Sequence, residues 1–226
     1  MTATVTATDN EHDWLRLTVD KGAMSSEQSA HDAADTARRA LFESVMLFAE
    51  RGTRLTMDHA LLISATNRAF GLHDAIVREA DNDNPHAALT LLRSLLDLVL
   101  VVLQVRRQPD YAAVVMDVTS EDRRAPGPLS AQKLLANAQA ELPGMKDAWN
   151  DLSEIAHFGR EGFVLTVDDV RHDDSGLHVS VSTESRWRIP ADKLTTIVAA
   201  AVMTEVVAAS IRKVLTDRPL GPPLTD

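Results

Sequence analysis

The stretch "ALTLLRSLLDLVLVVLQV", residues 88 to 105, decides how this chain reads. It is apolar almost throughout, is interrupted by Arg93 and Asp97, and falls short of the roughly 20 apolar residues that a spanning helix needs. A buried helix of a soluble protein is the expectation, and no membrane segment. Asp83 or Asn84 supplies the cap, Pro85 sits at a first-turn position where its missing amide hydrogen costs least, and the helix should run to about Gln108. His86, Thr90, Arg93, Asp97 and Gln104 fall on one narrow stripe at 3.6 residues per turn. Two readings of the stripe stay open. It is either the solvated edge of a central helix, with Arg93 and Asp97 as an ordinary pair one turn apart, or a polar seam facing a cleft. In the seam, an arginine held by a carboxylate could bind an anion or phosphate.

Around this helix the text is mostly helical. "SSEQSAHDAADTARRALFESVMLFAERG" offers a serine cap and Gly52 as a stop, and "RLTMDHALLISATNRAFGLHDAIVREADNDN" carries an apolar stripe through Leu62, Ala69 and Ile76. "LSAQKLLANAQAEL" and "GMKDAWNDLSEIAHF" read as a helical pair broken at Pro143 and Gly144. The period then changes to two in "GFVLTVDDV" and "GLHVSVSTE", with "RHDDSG" between them, which predicts a β-hairpin over about 162–189; "RWRIP" could add a third short strand. A long alanine-rich helix from Ala191 to Thr216 follows. The expected architecture is mainly α: a five- to six-helix bundle with a β-hairpin packed on it before the last long helix. One domain over 25–216 is expected, between a loose segment at 1–24 and a loose tail at 217–226.

At 226 residues, 45% hydrophobic and 25% charged, the chain is long enough to bury a real core. It has no cysteine, so disulfides, thiolate metal sites and thiol nucleophiles are excluded. The start has neither a basic segment nor an apolar run, so a cytoplasmic location is expected, and arginine far outnumbers lysine, as in GC-rich bacterial genomes. A net charge of -10 means that the average surface repels phosphate backbones, so nucleic-acid binding needs a local basic patch.

Ser153 and His157 lie one helical turn apart, on a face shared with Trp149. A nucleophile pair would need an orienting third group and a strand-to-helix elbow, and no Gly-x-Ser-x-Gly is present. The other reading is structural, with His157 near the helix C-terminus, where the dipole favours cations. His-x-x-x-His and His-Glu-x-x-His are absent, and no glycine-rich phosphate loop occurs, so neither metal nor cofactor is expected.

Two stretches together, "LLRSLLDL" at 91–98 and "WNDLSEIAHF" at 149–158, resemble a group of uncharacterised bacterial helical proteins. In that group an Arg-x-x-x-Glu helix is followed by a helix reading Leu-Ser-x-x-x-His. The group is similar in turn to the HEPN helical superfamily, many of whose members are ribonucleases or RNA-binding modules of defence and toxin systems. Carried over by position, the resemblance marks Arg93, Asp97, Ser153 and His157 as the site, with Asp in place of the usual Glu. It implies RNA or a nucleotide as ligand, metal-independent cleavage with His157 as base and Arg93 on the phosphate, and a homodimer. The superfamily's nuclease signature finds only "RAFGLH", Arg68 to His73, with Ala69 where a polar residue is usual. The alternative is a non-catalytic interaction or regulatory module with a protein partner, in which the same residues form a polar latch.

Overall fold

The computed structural model of the chain describes residues 26–49, 55–117, 130–157, 159, 167–173, 176–181, 186–187 and 189–218. Seven helices lie among them: α1 (Glu27–Ala49), α2 (Met57–Asp81), α3 (Pro85–Arg107), α4 (Tyr111–Asp117), α5 (Ala131–Ala138), α6 (Met145–Ala156) and α7 (Pro190–Asp217). The protein is mainly helical. Five to six helices were expected. The count is higher because Tyr111–Asp117 makes a helix of its own after the left-handed turn at Asp110 (φ 63°).

The starts follow local chemistry. Asn84 accepts the Ala87 N–H ahead of Pro85 at the head of α3. Thr56 and His59 form a capping box on α2, with the threonine hydroxyl taking the His59 N–H and the ring Nδ1 taking the Thr56 N–H. Ser130 caps α5 by accepting the Lys133 N–H on its hydroxyl.

Helix α3 is the centre. It packs on α2, α7, α6 and α5, while α1 lies mainly along α7. Its Leu92, Leu95, Leu96, Val99, Leu100 and Leu103 are buried, and α7 contributes Ala200, Met203, Val207 and Ile211 to the same core. Both α3 and α7 are long and apolar enough to cross a membrane by length and composition; 61% and 72% of their most apolar windows are buried inside this protein, as the core helices of a bundle are. A smaller cluster joins Ala30 and Ala34 of α1 to Ile197, Val198 and Val202 of α7.

The hairpin expected at about 162–189, packed on the bundle, is not supported in that form. The described backbone pairs only Val167–Asp173 (β1) with Gly176–Val181 (β2), antiparallel, with Val170 opposite Val179; these strands are not tied to a helix by any extensive described contact. The third strand in "RWRIP" is replaced by docking on α2. Trp187 donates its backbone N–H to Asp83 (3.1 Å) and its indole N–H to the Ala80 carbonyl (3.2 Å), and Pro190 already opens α7. Residues 1–25 and 219–226, most of the two segments expected to be loose, lie outside the described residues.

A polar knot closes one end of the bundle. Buried Asp58 accepts the N–H groups of Asp110 and Ala112, both at 2.9 Å, and so caps α4 from another helix. Arg218 donates to Asp58 (3.0 Å) and to the carbonyls of Val105 (3.0 Å) and Arg106 (2.8 Å), which end α3. Its own carbonyl lies 3.1 Å from His59 Nε2.

Deeper in the core, His73 of α2 is 2% exposed and its Nδ1 lies 3.0 Å from the Thr204 hydroxyl of α7. Burial, with a smaller contribution from the Arg38 charge in the same direction, lowers its pKa from the ordinary imidazole range, against an opposing pull from Asp74. Protons therefore bind the unfolded chain more readily. The stability that His73 contributes is full above its unfolded pKa of about 6.5 and is lost as pH falls toward the folded value. Urea unfolding of wild type and His73→Gln should show the gap between them shrinking from pH 7.5 to pH 5.5; a gap independent of pH would assign the imidazole no such role.

Candidate functional site

The stripe on α3 faces the α5–α6 pair. Its central residue, Arg93, is only 12% exposed in its side chain, because Trp149 of α6 lies over it with the guanidinium carbon 4.0 Å from the ring centre. Arg93 Nε–H donates to the Ser153 hydroxyl at 2.8 Å, and Nη1 makes an ion pair with Asp97 one turn along α3. Trp149 completes the circuit by donating its indole N–H to Asp97 at 3.1 Å. Ser153 in turn gives its only proton to the Trp149 carbonyl at 2.6 Å.

Arg93, Asp97 and Ser153 thus meet, and Trp149 joins them. His157 does not. It is the exposed C-cap of α6, with its backbone N–H bonded to the Ser153 carbonyl at 2.9 Å, and among the described residues no hydrogen bond joins its ring to Ser153. The Gly159 N–H reaches back to the Glu154 carbonyl at 2.6 Å and closes the helix end.

The rest of the stripe divides. Gln104 is buried, accepts from Asn137 of α5 at 3.0 Å and donates to Gln108 at 3.0 Å. Past it, Arg106 and Arg107 share the carboxylate of Glu141, and burial lowers the pKa of both guanidinium groups. At the other end His86 and Thr90 line a shallow open recess with Glu79 and Leu91. From Arg93 to Gln104 the stripe is bonded to α5–α6, while Thr90 and half of the Asp97 side chain stay in water, so each reading describes part of it.

The "RAFGLH" match comes apart in space. Arg68 is exposed, whereas His73 is buried against Thr204. Trp149 is the residue that the four-position pattern left out. Its signal was present in the sequence, four residues before Ser153 on the same face.

Chemically, this arrangement positions more than it activates. A serine that donates to a carbonyl and accepts from a guanidinium has no base on its proton, as a nucleophile would need. An arginine stacked on indole, paired with a carboxylate and bonded to a hydroxyl is committed to the protein's own groups. Comparison with family models, with curated proteins and with solved structures finds no match for this chain.

Removing the guanidinium breaks the stacking and the Ser153 bond but leaves Asp97, half in water, able to recover solvation. Arg93→Ala should therefore cost about 2 kcal/mol in urea unfolding, below the roughly 3–5 kcal/mol of a fully buried pair. Arg93→Lys should recover little of it, since an ammonium can neither stack flat on the indole nor reach two acceptors as a fork. A loss under about 0.5 kcal/mol, the range of ordinary surface changes, would show that the circuit is not structural.

Proposed function

We propose that this chain is a non-catalytic interaction or regulatory module, in which Arg93, Asp97, Ser153 and Trp149 form a latch that fixes α6 on α3. The observation that carries this reading is the fate of the Ser153 proton, which goes to the Trp149 carbonyl and not to His157. The net charge of -10 and the separation of Arg68 from His73 support it as well. In this proposal the module works in the cytoplasm with a protein partner, a second copy of itself included. The apolar residues of α3 and α7 lie largely inside the chain, so a partner would meet other residues, such as Phe42, Met46 and Leu47 on α1, which are exposed.

A second reading keeps the HEPN-like resemblance: an RNA-binding protein or ribonuclease of a bacterial defence or toxin system. What favours it is that His157 stands in solvent at the helix end next to the latch, where a ribose hydroxyl could reach it. Incubating total RNA with wild type and His157→Ala, each checked for folding by circular dichroism, separates the two. The module reading expects no cleavage by either protein. Cleavage by wild type that is lost in a folded His157→Ala would replace it with the ribonuclease.

A further inference from the structure

The end of the bundle opposite the Asp58 knot carries a different cluster. Glu27 and His31 lie one turn apart at the start of α1, and Asp81 is the last residue of α2. One ligand atom from each lies within 4.8 Å of the other two. A cation is already seated among them: Lys193, in the first turn of α7, places its Nζ 2.5 Å from Glu27 and 3.4 Å from Asp81, while His31 Nε2 lies 3.2 Å from the same Asp81 oxygen.

The His31–Asp81 spacing is that of two donors on one ion, and Glu27, within 4.8 Å of both, would have to close in by a small side-chain movement to complete a shell. A tetrahedral ion with bonds of about 2.1 Å holds its donors about 3.4 Å apart. One imidazole with two carboxylates suits zinc-class dications, whereas calcium and magnesium prefer oxygen alone. Three protein ligands would leave a fourth position to water. The donors are reachable, since His31 and Asp81 line an open groove between α1 and α2.

We propose that Glu27, His31 and Asp81 form a site for a zinc-class dication, and that Lys193 occupies it as an intramolecular competitor. Binding requires the ammonium to swing out, because a second cation at this distance from a metal would be repelled by it. The wild-type site is therefore weak, and its affinity is set by how firmly Lys193 holds the two carboxylates.

The test is calorimetric titration of Zn²⁺ into wild type, Lys193→Met and Lys193→Arg, with Co²⁺ absorption in the visible as a second readout of coordination. Removing the competing charge should tighten 1:1 binding by at least about tenfold. Lys193→Arg should stay as weak as wild type, and adding His31→Ala to Lys193→Met should abolish the gain. Because Lys193 also ties three helices together, Lys193→Gln provides a second charge-free variant, with the fold of each checked by circular dichroism. The proposal fails if neither charge-free variant binds more tightly than wild type, or if the gain survives His31→Ala, which would place the ion elsewhere.

Discussion

A helix buried on most of its faces has little water for its polar groups, and the arrangement of this protein follows from that constraint on α3. Each of its inward polar side chains needs a partner from another part of the chain. Arg93 and Asp97 find Ser153 and Trp149, Gln104 finds Asn137, and Arg106 and Arg107 find Glu141. All those partners come from α5, α6 and the turn between them. Apolar residues Leu135, Ala148 and Leu152 supply burial at the same interface, but the polar contacts set the register, since a slide of one turn along α3 would orphan several of them at once.

The ends of helices pose the same problem for the backbone. The last carbonyls of α3 and the first N–H groups of α4 have no partners within their own helices. Asp58 and Arg218 answer both needs with one ion pair, the carboxylate taking amides and the guanidinium taking carbonyls. As a partly buried pair it owes much of its strength to these extra bonds, because the attraction alone must also offset the desolvation of buried Asp58.

The long helices were legible because their signals are local: Pro85 after a capping residue, the apolar stripe of α2, the alanine-rich run of α7. The pairing of Arg93 with Asp97 was legible for the same reason, being one turn apart. What the sequence held back was longer in range. Nothing near Asp58 tells that Arg218 will reach it, or that Trp149 will stack on Arg93, since both depend on how helices far apart in the chain are set against one another. Alternation at 176–181 marked a paired segment, yet the period of two says nothing about what a ladder packs on, and Trp187 left its expected strand for the end of α2. The Ser153–His157 spacing allowed a contact that the helix end did not make, because the cap residue turned its ring to solvent.

The knot also has a schedule. Arg218 follows Asp58 by 160 residues, so at a synthesis rate of about 5–20 residues per second the two are separated by on the order of ten seconds or more on the ribosome. From the completion of α3 at Arg107 until α7 follows from Pro190, α3 exists without its cover and without the guanidinium that ends it. The newborn chain therefore carries an apolar helix uncovered until α7 emerges, so the core closes late in synthesis.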